Sequence, residues 1–313
     1  MESLVISWNA VAPMFCVIFL GFFVRRRGML SEDHIPPFNT VAFRFFTPCL
    51  IFYNICHSSV GSAFRPRLIL FTLAALVLVF LLSFLLVCAV ERRSERRGVM
   101  IQGMFRSNLI LMGLPLAGAL SPPGSDLGVI AIMAAIFVPL FNVLGVVVLE
   151  VFHGQGVDLP RILLGIVKNP LILGSALGLA CLFSGVRLPH FLDLAAKSVT
   201  DMTTPFLLFL LGATFQLDTV RRDFRNVLLC VSARLLAIPG LCLGAAMALG
   251  FRGLDFISLI CVFATPVSVS SFVMAEQMGG DGPLASSLVV YTSALSCVTL
   301  FFWTFLFHGL GVF

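Results

Sequence analysis

Arg106, Ser107 and Asn108 stand side by side in the stretch FRSNLILMGLPLAG (105–118), amid residues otherwise suited to hydrocarbon. A second polar group, Thr265, Pro266, Ser268, Ser270 and Ser271, lies in ATPVSVSS (264–271). Guanidinium holds carboxylates through paired hydrogen bonds, and hydroxyl and amide groups supply neutral donors beside it. The chemistry these residues can do is anion recognition. Bond-breaking chemistry lacks its usual parts: there is no GxSxG elbow, and the five histidines (His34, His57, His153, His190, His308) stand apart with no HExxH spacing. Phosphate-binding glycine patterns are also missing, so neither an enzyme nor a pump driven directly by ATP is expected, and no metal or other cofactor.

The elements that must hold these groups are membrane spans. Of 313 residues 59% are apolar and 11% charged, against about 25% charged in ordinary soluble domains. Apolar runs near the 20 residues needed to cross a bilayer recur along the chain. They predict ten helices: 4–24, 36–57, 67–90, 98–120, 127–150, 161–183, 199–217, 225–250, 255–277 and 284–307. A short interfacial helix is expected over Leu188–Ser198. The first run carries Arg25, Arg26 and Arg27 behind it, the reverse of a secretory signal, so it reads as a retained span. Nine cysteines are scattered without a CxxC pair and read as thiols packed among helices. The net charge of +5 is dispersed over loops, which gives nucleic acid no patch to bind.

Loop charge orients the chain. Loops on one side hold twelve Lys and Arg and those on the other five, which places both termini outside the cytoplasm. Arg44, Arg106 and Arg234 fall within spans. Such groups face a cavity or a partner, or snorkel to the interface. Arg106 adjoins the polar stretch and is the first choice for holding an anion, with Arg44 and Arg234 as further candidates. No Asp or Glu lies mid-span, so a mechanism that titrates a buried acid has little support.

An internal repeat organises the spans. Thr47-Pro48-Cys49-Leu50-Ile51-Phe52 returns 157 positions on as Thr204-Pro205-Phe206-Leu207-Leu208-Phe209, and Phe105–Asn108 aligns with Phe263–Pro266 at 158. Residues 1–150 and 161–313 then form two halves of five spans each. Five is odd, so the halves cross the membrane in opposite senses, the arrangement of secondary transporters. Gly113 and Pro115 in span four, and the polar cluster in span nine, are expected to break their helices, since unwound backbone in a membrane is tolerated only against protein or a wet cavity. Pro48 and Pro205 are expected to kink spans two and seven, with ligand contact a second reading for them.

Four motifs in order, TPCLIF (47–52), NLILMGLPL (108–116), KNPLILGSALGL (168–179) and ATPVSVSSFVMAEQMGGD (264–281), resemble the auxin efflux carrier family in its bacterial permease branch of malonate- and malate-type carriers. The resemblance implies an all-α membrane protein like bile-acid symporters and sodium/proton antiporters, with broken helices four and nine crossing. Helices 4–24, 36–57, 161–183 and 199–217 would form a scaffold able to homodimerise. Helices 67–90, 98–120, 127–150, 225–250, 255–277 and 284–307 would form a transport domain moving past it, as an elevator. Asn108 and Pro266 match the family's asparagine and proline at the two crossovers. Ser107 and Val267 depart from the plant pattern, which argues against auxin as substrate. The implied function is carriage of a small organic anion across a bacterial cytoplasmic membrane, with H+ or Na+ as the open choice of coupling ion. A sodium-coupled symporter of bile-acid type and a membrane receptor or signalling scaffold are the alternatives.

Overall fold

A chain this apolar must satisfy its backbone hydrogen bonds internally, and helices do so within one segment. The computed structural model describes residues 2–57, 64–121, 125, 127–153, 164–165, 167–186, 188–215 and 223–313, with side chains from residue 13 onward apart from Glu32. Among the described residues every regular element is helical. Among the described residues six helices are long and apolar enough to cross a membrane: Pro66–Val90, Ser94–Leu120, Gly128–His153, His190–Thr214, Phe224–Ala248 and Gly282–Gly309.

In chain order the elements are α1 (Glu2–Arg26), α2 (Ile35–Val41), α3 (Thr47–Cys56), α4 (Pro66–Val90), α5 (Ser94–Phe105), α6 (Leu114–Leu120), α7 (Gly128–His153), α8 (Pro170–Ser184), α9 (His190–Thr214), α10 (Phe224–Ser232), α11 (Ile238–Ala248), α12 (Gly253–Phe263), α13 (Val269–Gln277) and α14 (Gly282–Gly309). Two sequence expectations need correction. The separate interfacial helix over Leu188–Ser198 does not exist: α9 runs unbroken from His190 through Pro205 to Thr214. Its Lys197–Asp201 pair at 2.6 Å is an i,i+4 contact that lets the polar first turns continue the same helix. The expected span ends at 161–163 and 216–217, and Arg161, Arg187, Arg221 and Arg222 of the charge count, lie outside the described residues.

The second correction concerns proline. The break expected at Gly113 and Pro115 is not there: Pro115, like Pro48 and Pro239, lies within a continuing helical run. Each follows by two residues a widened π turn, Ala42–Phe46, Leu109–Gly113 and Ala233–Ala237. Proline lacks an N–H and its ring crowds the carbonyl four residues back, and the extra residue in the turn makes room. At Pro239 the carbonyl freed by this is claimed by a side chain. Trp303 Nε1 donates to Leu235 O at 2.9 Å, four residues before Pro239.

Glycine sets the closest helix contacts. A methyl group at Gly21 of α1 would lie 2.0 Å from Phe209 O of α9, and one at Gly212 of α9 would lie 1.9 Å from Ile18 O of α1. Gly174 and Gly178 of α8 meet Pro48 and Phe52 of α3 in the same way. Without side chains there the backbones come into direct contact, which is how helices associate when lipid removes the hydrophobic drive. At one end of the helices Arg96 of α5, 5% exposed, donates to Asp223 Oδ1 at 2.7 Å and to Asp281 Oδ2 at 3.0 Å. That ion triad ties the starts of α5, α10 and α14, where Asp281 also caps Leu284 N at 2.9 Å.

Candidate functional site

The interruptions occur at Arg106–Asn108, after α5, and at Ala264–Ser268, between α12 and α13. Gly113 and Pro115 lie beyond the first break, inside the helical run that resumes at Leu109. The two breaks touch. Asn108 N–H donates to Pro266 O at 2.9 Å, and Ser107 Oγ and Thr265 Oγ1 share a hydrogen bond of 2.7 Å. The segments thus satisfy one another where neither could face lipid.

Behind the breaks sits Arg234, 1% exposed, on the π turn between α10 and α11. Its Nε and Nη2 donate to Thr265 O at 2.9 and 2.7 Å, Nη2 also to Val262 O at 3.1 Å, and Nη1 to Met104 O at 3.4 Å and Phe105 O at 3.3 Å. These carbonyls end α5 and α12, the negative poles of both helices. Arg234 therefore binds the protein's own backbone and does not line the cleft. Arg44 is exposed, on the π turn of span two, and likewise lies apart from it.

In front of the breaks is a cleft with about 570 Å³ of unoccupied space including its open mouth. Its apolar wall comes from Ile51, Val138, Phe141 and Leu207, and its polar wall from Arg106, Asn108, Ser268 and Ser270 together with Thr47, Asn142 and Thr204. Arg106 is 2% exposed. Its Nη1 donates to Gln102 Oε1 at 2.7 Å and Met274 Sδ at 3.2 Å, and its Nη2 to Asn142 Oδ1 at 2.6 Å and Ser270 Oγ at 2.9 Å. Every partner is neutral. Asn142 can meet a guanidinium only with its oxygen, so its nitrogen turns away, toward Ser175 Oγ at 3.5 Å. Gly145 makes room: a methyl group there would stand 2.9 Å from Gln102 Oε1 and 3.1 Å from Arg106 Nη1.

Donors outnumber acceptors in this cleft. Asn108 is 3% exposed and its Nδ2 has no partner among the described residues. The N–H groups of Leu109, Ile110, Leu111, Val269 and Ser270 open the two resuming helical runs, whose N-caps Asn108 and Ser268 make no side-chain capping bond. All five residues line the cleft. Unpaired N–H groups at helix starts attract anions. Ser268 Oγ pairs with Ser270 Oγ at 2.9 Å, while Ser271 Oγ turns back to Ser268 O at 2.6 Å. Of the sequence candidates, Arg106, Ser107, Asn108, Ser268 and Ser270 meet at the cleft; Thr265, Pro266 and Ser271 buttress it from outside its lining.

Gln102, Asn142, Thr47 and Thr204 are absent from that sequence list. Asn142 carried a readable signal, an amide inside an apolar span, and Gln102 sits one helical turn before Arg106. Thr47 and Thr204 head the repeated TP motif, where proline drew the attention. Among the described residues no group of His, Cys, Asp and Glu is arranged to hold a metal.

The chain matches the family described as Membrane transport protein over residues 6–155 and 158–304. It is 23% identical over 309 residues to an "Uncharacterized transporter" of Methanothermobacter thermautotrophicus, covering 95% of this chain and 97% of that one. It is 24% identical over 299 residues to a "Putative malonate transporter" of Rhizobium meliloti, covering 93% and 92%. With the apolar helices, these matches make the chain a member of the membrane transport protein family of auxin efflux carrier-type permeases, a transporter and not an enzyme.

Proposed function

We propose that the protein is a secondary carrier of a small organic anion, a carboxylate of the malonate or malate kind, working by alternating access. The observation that carries this reading is Arg106, buried among neutral partners beside the unpartnered Asn108 Nδ2. A buried cation without a counter-charge is costly, and a bound carboxylate would supply one. The Rhizobium relative's name points to the same class of anion.

The architecture we propose is ten spans in two inverted repeats. In its favour, the Gly21–Phe209 O contact recurs as Gly178–Phe52 O, with both residues displaced by 157 positions and the halves exchanging roles. Spans one, two, six and seven, joined by these glycine contacts, would be the scaffold and the candidate surface for a homodimer. The remaining six would carry the crossed breaks as a transport domain. We place the protein in a bacterial cytoplasmic membrane with both termini outside.

Uptake of radiolabelled malonate into proteoliposomes tests this. Wild-type protein in vesicles preloaded with unlabelled malonate should take it up, and Arg106→Ala should lose at least about 10-fold in kcat/KM, since a charge-assisted pair contributes about 1.5–3 kcal/mol. Equal uptake by the two proteins would remove Arg106 from the site.

A further inference from the structure

We infer that the carrier is an exchanger: its binding site crosses the membrane readily with an anion bound and slowly when empty. The inference rests on the transport reading above and adds the mode of transport to it.

Three buried arginines make the contrast. Arg96 faces two carboxylates, Asp223 and Asp281. Arg234 faces four carbonyls at the C-terminal ends of α5 and α12. Two such ends carry roughly one negative charge between them, so Arg234 is neutralised within the protein. Among the described residues Arg106 meets only Gln102, Asn142, Ser270 and Met274. The helical runs starting at Leu109 and Val269 turn their N-terminal ends to the same cleft, each adding about half a positive charge. No Asp or Glu among the described residues lines the cleft or pairs with Arg106. The empty site thus holds about two uncompensated positive charges.

Returning that empty site across the apolar barrier carries the charge with it. The penalty for one ionised side chain at mid-bilayer corresponds to a rate lower by roughly 100-fold. A dicarboxylate with both groups ionised nearly cancels the charge of the guanidinium and the two helix ends, so the loaded site meets no such barrier. Each inward crossing with one anion is then followed by an outward crossing with another, and net movement without a counter-anion is the slow process.

The test uses the purified full chain in liposomes, with potassium and valinomycin clamping the membrane potential at zero and radiolabelled malonate outside. Vesicles preloaded with unlabelled malonate should take up label about 50-fold or more faster than vesicles without it. Arg106→Gln, which removes the charge, should bring that ratio down toward 1 even as its KM rises. Equal rates in the two kinds of wild-type vesicle would overturn exchange while leaving transport standing. A ratio unchanged in Arg106→Gln would overturn the electrostatic cause. Absence of malonate flux from both would overturn the transport reading, and exchange with it.

Discussion

Ser107 Oγ and Thr265 Oγ1 stand 2.7 Å apart and 158 positions apart in sequence, each hydrogen-bonded to the residue that takes its place in the proposed repeat. The next pair along, Asn108 and Pro266, repeats the relationship through the backbone at 2.9 Å. Residues can touch their own counterparts only where a two-fold axis passes between them. The proposed axis relating the halves therefore runs through the two breaks.

That contact can be measured. Thr265 Oγ1 also reaches Cys261 O at 2.8 Å and Ser107 Oγ reaches the same carbonyl at 3.3 Å, so either hydroxyl keeps a partner when the other is lost. Ser107→Ala and Thr265→Val should each destabilise by about 1 kcal/mol, and the double variant by less than the sum, with a coupling of about 0.5–1.5 kcal/mol. Unfolding of the four proteins in one detergent gives the cycle. Strict additivity would mean that the two hydroxyls do not interact.

Arg234 should matter to folding more than to ligand chemistry. Arg234→Met leaves four buried carbonyls at two helix ends without a donor, and the expected loss exceeds about 3 kcal/mol. Arg234→Lys keeps the charge, but one ammonium with three donors cannot span carbonyls on two helices, so an intermediate loss is expected. Melting temperatures in detergent should rank wild type above lysine above methionine. A methionine variant as stable as wild type would show that Arg234 does not hold the breaks.

How much of this was legible follows from which interactions are local. Apolar runs are a local signal, and they mark the six helices long and apolar enough to cross a membrane, although α9 begins at His190, nine residues before the expected 199. The polar run Arg106–Asn108 marks the fourth-span break, but Pro115 draws attention to the wrong place. A proline reads as a breaker until the π turn before it, and the partners of the freed carbonyls, are known. Whether a buried arginine serves a ligand or a backbone carbonyl depends on neighbours 130 positions away, as for Arg234 and Met104. Arg106 and Arg234 therefore look alike in sequence and differ in the fold. Asn142 needed the reverse inference, from a single amide in an apolar helix to a partner 36 positions back.

Gly145 offers a mild perturbation of the arginine's seat. The added methyl of Gly145→Ala would press on Gln102 Oε1, Arg106 Nη1 and Met274 Sδ, all far ends of flexible side chains that can give way. Alanine's better helix propensity, about 0.5–1 kcal/mol over glycine, offsets the crowding. The melting temperature should change little while KM for the transported carboxylate rises several-fold, because Arg106 is displaced from Asn142. Unchanged KM would mean that the guanidinium's position is not read by the ligand. Gly145→Leu, too large for any adjustment, should abolish transport.

Asn108→Asp gives a neutral group a negative charge without changing its size. The backbone N–H still reaches Pro266 O, so the contact between the breaks is kept. The orphaned Nδ2 becomes a second carboxylate oxygen, and the cleft gains a negative charge beside Arg106. An anion would then meet a site already neutralised and lacking one donor. Carboxylate uptake should fall by 10-fold or more on the scale of about 1.4 kcal/mol per decade, well beyond the effect of Asn108→Ala, which loses only the donor. Melting temperatures of the aspartate variant should hold or rise, because the new carboxylate supplies the counter-charge that Arg106 otherwise lacks. A drop in transport no larger than that of alanine would show that charge at this position is not what the ligand senses, and would point the anion to another part of the cleft.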